Sequence, residues 1–245
     1  MTLPKIDAPT FVMDLHSIGK SVPYRPFLVK EEKVLLMAME GGDQRGILNA
    51  TKQIISNCIL DDKIDVDKLP LFDLQLALLR IRSKSVGEEA IITLLHPNGK
   101  NSKDEECDGR TQGKIYINEL KIEVNENHNK NIRVNDTITV QMKYPTISAF
   151  EGLDEGGVDE MYNMIVDCID NIYSGDDVFS ASEYSREDLN NFVGSLSTAQ
   201  FGQLKEFFDT MPSLKHDVSF TCKKCGCEEK QTLQGIGDFF YSLLP

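Results

Sequence analysis

The spacing of hydrophobic residues divides the chain into helical and extended parts. Between residues 30 and 88, apolar side chains recur at intervals of three and four, which is the period of a helix with one buried face. The segment after Pro70 is apolar almost throughout and ends in cations such as Arg82 and Lys84, which suit the negative end of a helix dipole. This pattern predicts a helical part over residues 30–88, with the helix after Pro70 in the core.

Between residues 89 and 145 the hydrophobic period changes to two. Apolar and polar residues alternate around Ile91, Ile115 and Val140, and polar loops separate these runs. The pattern predicts a small antiparallel β-sheet inserted between helical parts. Pro145 closes this sheet, because the residue before a proline avoids the helical region.

A second helical part is predicted over residues 146–212. Apolar positions at helical spacing predict one helix over residues 159–173. Ser185-x-x-Asp188 and Ser197-x-x-Gln200 match capping boxes, and an apolar stripe follows each of them. We expect two further helices to begin there, the second ending before Pro212.

The two ends of the chain differ from the helical parts. Prolines exclude a continuous helix in residues 1–29, so an extended N-terminal arm is predicted, which either pairs with itself through Gly19 or lies along a partner. Residues 213–245 hold a cysteine hairpin and an apolar segment, which either folds back on the core or inserts into a partner's groove. The predicted fold class is α+β: a helical body with an inserted small antiparallel β-sheet and a C-terminal cysteine-containing β-hairpin.

Charge and composition narrow the classes of partner. The formal net charge is −13, and the 26 basic residues are scattered, so we expect no binding to nucleic acid. No apolar run reaches the roughly 18 residues that a membrane span needs, and the N-terminus carries no apolar signal region, so the protein is expected to stay where it is made. The six cysteines are therefore expected to be reduced.

The run Cys222-Lys-Lys-Cys225-Gly is the sharpest local motif. Two thiolates at this spacing can bind one metal ion, because the tight turn points both sulfurs inward. A structural zinc needs four ligands; Cys227 and His216 are the nearest candidates to complete the set, and Cys107 is a remote one. Two interpretations stay open, one structural zinc ion or reduced thiols in a surface hairpin.

No catalytic set is legible in the sequence. The four histidines are isolated, and no nucleophile motif or phosphate-binding glycine loop occurs. We therefore expect a protein that is not an enzyme and has no catalytic or cofactor-binding residues beyond the candidate metal ligands.

Several segments, in order along the chain, together resemble one family. They are Tyr24-Arg-Pro-Phe-Leu-Val-Lys-Glu-Glu-Lys, Leu79-Arg-Ile-Arg-Ser-Lys-Ser-Val-Gly-Glu88, Met142-Lys-Tyr-Pro-Thr146, and Phe220-Thr-Cys-Lys-Lys-Cys-Gly followed by Leu233-Gln-Gly-Ile-Gly-Asp-Phe-Phe240. The order and spacing resemble the baseplate hub subunits and hub-assembly proteins of T-even-type bacteriophages, over almost the full chain.

The resemblance implies a late phage protein whose partners are other baseplate hub proteins. It would act in the host cytoplasm during assembly, either as a hub component retained in the tail baseplate of the virion or as an assembly chaperone. The alternative is a zinc-ribbon-like regulatory or nucleic-acid-binding protein, which the acidic charge disfavours. The predicted partner-binding residues are Arg25, Phe27, Arg82, Glu88, Phe239 and Phe240.

Overall fold

A computed structural model describes residues 6–41, 44–150 and 158–234 of the chain. The helices of these residues are α1 (Val29–Glu40), α2 (Gln44–Cys58), α3 (Leu71–Ser85), α4 (Val158–Cys168), α5 (Arg186–Gly194) and α6 (Thr198–Thr210). The strands are β1 (Phe11–Leu15), β2 (Lys20–Tyr24), β3 (Glu89–Leu94), β4 (Thr111–Tyr116), β5 (Lys121–Glu123), β6 (Asn131–Arg133), β7 (Ile138–Met142), β8 (Ile169–Ser174), β9 (Asp177–Ser180), β10 (Ser213–Thr221) and β11 (Glu228–Gln234).

The predicted fold class is wrong in its architecture. Within the described ranges the protein is not a helical body with one inserted sheet, but a mixed fold with four small antiparallel sheets. Their strand orders are β1-β2, β3-β4, β11-β10-β5 and β6-β7-β8-β9.

The clearest local correction concerns the helix predicted over residues 159–173. Helix α4 ends at Cys168, and the chain continues directly into β8. Ile169 and Ile172 stand at helical spacing, but they pair with Met142 and Val140 of β7. Because a short apolar run is compatible with both periods, pairing with a neighbouring strand decides its structure.

The chain separates into two compact units. The first comprises the described residues within Met1–Val66, Phe72–Glu123 and Ser213–Pro245, and the second those within Asp67–Leu71 and Val124–Pro212. The five segments drawn from the sequence divide the chain in a different way and remain a prediction.

The first unit has a core between helix α3 and two of the sheets. Leu76 and Leu79 of α3 belong to a buried cluster with residues from β3, β4, β10 and β11. Helix α3 is buried over most of its length, as its apolar run predicted. The N-terminal arm pairs with itself: β1 and β2 form a hairpin, and the left-handed backbone of Gly19, at φ 59°, lies in its turn.

The second unit packs helices α4, α5 and α6 around the β6-β7-β8-β9 sheet. Its buried cluster joins Val140 of β7, Ile165 of α4 and Phe207 of α6. Both predicted capping boxes are present, with Ser185 before α5 and Ser197 before α6. These residues were identifiable from sequence because a capping box is a local arrangement of four consecutive residues.

Candidate metal centre

Two loops of the first unit carry the candidate site. The connection between β3 and β4 contains His96 and Cys107, and the turn between β10 and β11 contains Cys222, Cys225 and Cys227. The two hairpins belong to different sheets. The fold nevertheless brings their loops together, although Cys107 and Cys222 are 115 positions apart.

Four side chains converge between these loops. The ligand atoms of His96, Cys107, Cys222 and Cys225 all lie within 4.8 Å of one another, and all but Cys225 are buried. Sγ of Cys107 lies 3.9 Å from Sγ of Cys222, which is far beyond the roughly 2.05 Å of a disulfide bond. Sγ of Cys225 lies 3.4 Å from Nε2 of His96. The arrangement is a compact group of soft donor atoms that could hold a metal ion.

The turn around Cys222 stabilises a negatively charged sulfur. The backbone N–H of Lys224 points at Sγ of Cys222, at 3.4 Å, and Gly226 adopts φ 74° to close the turn. The backbone N–H of Cys225, together with that of Lys224 and the side chain of His96, lowers the pKa of the Cys222 thiol to about 6 despite its burial. The N–H of Cys227 similarly lowers the pKa of Cys225.

The backbone at Gly109 also lies close to the sulfur of Cys107. The N–H of Gly109 acts to lower the pKa of Cys107, but burial and the neighbouring thiols of Cys225 and Cys222 outweigh it, so the pKa is raised. A Cβ atom on Gly109 would lie 2.5 Å from Sγ of Cys222 and 3.2 Å from Sγ of Cys107. Any larger residue would therefore push the two loops apart at the sulfurs.

The imidazole of His96 lies between the thiols and a carboxylate. Its Nε2 faces Cys225, and its Nδ1 lies 3.2 Å from Oε1 of Glu229 on β11, although the angle is not that of a regular hydrogen bond. Both side chains are buried, with 0% and 8% exposed. Glu229 is itself held by the backbone N–H of Ser102, at 2.7 Å. The Cys222 thiol, as a hydrogen-bond partner, raises the pKa of His96.

The cluster overlaps the predicted ligand set without matching it. Cys222, Cys225 and the remote candidate Cys107 are members. Cys227 is buried but is not among the four, and His216 lies on β10, paired with Leu233. The predicted set with Cys227 and His216 remains a prediction. His96 was not among the ligands predicted from sequence; the one local sign of its role is that it lies in the same loop as Cys107.

The predicted partner-binding residues have varied surroundings. Arg25 has 16% of its side chain exposed and pairs with Glu31 at 3.0 Å. Phe27 and Arg82 are half-buried, and Arg82 donates to the carbonyl oxygen of Gly87 at 3.1 Å. Glu88 is exposed and pairs with Lys84 at 2.5 Å. Phe239 and Phe240 lie outside the described residues.

Fold and site together describe a mixed α/β protein with a His/Cys cluster of the kind that can hold a metal. A family model described as "T4 bacteriophage base plate protein" matches residues 8–241, so the chain belongs to this family of phage baseplate proteins. The match confirms the resemblance to phage baseplate proteins. No curated protein and no solved structure matches the chain.

No helix within residues 6–41, 44–150 and 158–234 combines the length and the apolar character that crossing a membrane requires.

Proposed function

We propose that this protein is a non-enzymatic component of the central baseplate hub, or an assembly factor for that hub, and that it acts through protein–protein contacts. The observation that carries the proposal is the match to the baseplate family over residues 8–241. Its partners would be other phage hub proteins, met in the host cytoplasm during assembly. The net charge of −13 supports protein partners over nucleic acid.

The character of the His/Cys cluster supports a structural role. Catalytic zinc sites keep one coordination position open for water or substrate, whereas structural sites use four protein ligands. The cluster offers four protein donors, and three of its four residues are buried. A site of this kind is suited to holding loops in place, which agrees with a protein that acts through contacts with other proteins.

The outer face of α1 is the contact surface that we favour. Val29, Leu36 and Met37 stand at helical spacing on this face, and their exposed fractions are 81%, 38% and 61%. Phe27, predicted as a contact residue, lies two positions before the first residue of the helix. Apolar side chains grouped on a helix surface are typical of a protein-binding site. We call Val29, Leu36 and Met37 the α1 face.

A binding assay with purified hub proteins tests this surface. Val29→Asp combined with Met37→Asp is expected to weaken binding to the hub partner at least about tenfold, because charges would enter an apolar interface. Val178→Asp is the matched control, since Val178 is 59% exposed and lies in the second unit. Undiminished binding by the double variant would reject the α1 face, and failure of the wild-type protein to bind any hub protein would reject the proposed function.

Mass spectrometry distinguishes the two forms of the proposal. A fixed stoichiometry in purified virions makes the protein a hub component, whereas its presence in infected-cell lysate alone makes it an assembly factor. A normal hub assembled in cells that lack the protein would contradict both forms.

A further inference from the structure

We propose that His96, Cys107, Cys222 and Cys225 are the four ligands of one structural zinc ion that joins the β3–β4 loop to the β10–β11 turn. This metal site goes beyond the proposed function, and it differs from the ligand set expected from sequence. It is carried by the convergence of three sulfurs and one imidazole nitrogen within 4.8 Å.

The distances within the cluster agree with tetrahedral zinc. Zinc bonds of about 2.3 Å to sulfur and about 2.0 Å to nitrogen place two sulfurs about 3.8 Å apart, and a sulfur and a nitrogen about 3.5 Å apart. The Cys107–Cys222 distance is 3.9 Å, and the Cys225–His96 distance is 3.4 Å. Three cysteines and one histidine form a recurrent ligand set of structural zinc sites, and soft thiolates select zinc over magnesium or calcium.

The backbone around the cluster is also shaped to receive sulfur ligands of a metal ion. The backbone N–H of Lys224 supports the Cys222 sulfur, as that of Gly109 supports Cys107. Gly109 allows the loop carrying Cys107 to approach Cys222, because a Cβ atom at position 109 would lie only 2.5 Å from the Cys222 sulfur.

Glu229 is assigned as a positioning residue for His96. Metal-bound histidines usually present their second ring nitrogen to a carboxylate or carbonyl, which fixes the orientation of the ring. Oε1 of Glu229 occupies this place, 3.2 Å from Nδ1, and leaves Nε2 directed at the thiols. The buried carboxylate of Glu229 is therefore placed to orient the His96 ring for metal binding.

The zinc would connect two sheets that share no strand pairing. The β3-β4 sheet supplies His96 and Cys107 through its connecting loop, and the β11-β10-β5 sheet supplies Cys222 and Cys225 through its turn. Such a cross-link stabilises the folded state, because the ligands cannot converge in the unfolded chain.

Metal analysis of the full chain and its variants tests the ligand set. We expect about one zinc per wild-type chain, and loss of that zinc in His96→Gln, Cys107→Ser, Cys222→Ser and Cys225→Ser. The matched controls Cys227→Ser and His216→Gln should keep it, since neither residue is in the cluster. Glu229→Gln should keep zinc but bind it about 10- to 100-fold more weakly in chelator competition, as expected for a residue that acts through a ligand.

Two measurements on the wild-type protein cover the case in which a ligand variant fails to fold. Cobalt substitution should give the absorption of a tetrahedral site with thiolate charge-transfer bands. Alkylation followed by mass spectrometry should find Cys107, Cys222 and Cys225 protected until a chelator is added, with Cys58 unchanged. Iron in place of zinc, no metal after reconstitution, or zinc that depends on Cys227 and His216 but not on His96 would each overturn the proposal.

Discussion

At the scale of single residues, Arg25 and Glu31 form a largely buried ion pair. Both lie in the first of the segments that resemble the baseplate family. One oxygen of Glu31 accepts from the guanidinium of Arg25 at 3.0 Å, and the other accepts from the N–H of Leu28 at 2.7 Å. Glu31 is only 2% exposed, and Arg25 also donates to the carbonyl of Pro26. The pair therefore fixes the chain at the start of α1, directly beside the α1 face.

Glu31→Gln is expected to lower the free energy of unfolding by about 2 kcal/mol at neutral pH, because it removes charge-assisted hydrogen bonds. Burial acts to raise the pKa of Glu31, but the hydrogen bonds from Arg25 and Leu28 outweigh it, so the pKa lies below its usual range. A depressed pKa means that the stabilisation is present above the unfolded-state pKa and is lost as the pH falls through the folded-state value.

Urea unfolding of the wild type and of Glu31→Gln at pH 7 and in acid checks this prediction, since the difference in stability between the two proteins shrinks as the pH falls through the folded-state pKa of Glu31. Glu32→Gln, the next position along α1, is the matched control and should change stability little. A difference between wild type and Glu31→Gln that is the same at both pH values would contradict the role assigned to the Glu31 charge.

At the scale of elements, helix α6 illustrates how local and distant contacts combine. The hydroxyl of Ser197 accepts from the N–H of Gln200, and the Gln200 side chain accepts from the N–H of Ser197 at 2.8 Å. The same Gln200 side chain donates to the carbonyl of Val134 at 3.1 Å. The capping box thus also ties the start of α6 to the chain that leads into β7.

Ser197→Ala is expected to lower the free energy of unfolding by about 1 kcal/mol, the usual effect of losing an N-cap. Gln200→Ala should cost more, because it also leaves the Val134 carbonyl without this donor. Thermal or denaturant unfolding measures both. Ser219→Ala, at an exposed position on β10, is the control; equal effects of Ser197→Ala and Ser219→Ala would mean that the capping box contributes nothing.

At the scale of the whole molecule, the His/Cys cluster belongs to one unit alone. All four of its residues lie in the first compact unit, and the second has its own buried cluster around Val140 and Phe207. A metal held by the cluster would therefore stabilise the two units unequally.

Hydrogen exchange with and without a chelator measures that difference. We expect removal of zinc to speed amide exchange in β3, β4, β10 and β11, because a ligand bound only by the folded state stabilises the segments it connects. Exchange in β7, β8 and α6 should stay the same and serves as the internal control. Equal changes in both groups, or none in either, would argue against a zinc ion that acts locally.

The sequence by itself determined the features that depend on neighbouring residues. The capping boxes before α5 and α6, the buried helix α3 and the tight Cys-x-x-Cys turn could all be predicted, because each depends on residues a few positions apart. The family was also identifiable, since its segments keep their order along the chain.

Only the tertiary structure decided the features that depend on distant residues. Ile169 and Ile172 became a strand because β7 lies beside them, although their spacing also suits a helix. His96 joined Cys222 and Cys225 because two separate hairpins end at the same place, and no spacing rule connects residues 129 positions apart. Local periodicity reports which side of an element is buried, whereas the partners of a side chain are set by the packing of the folded chain.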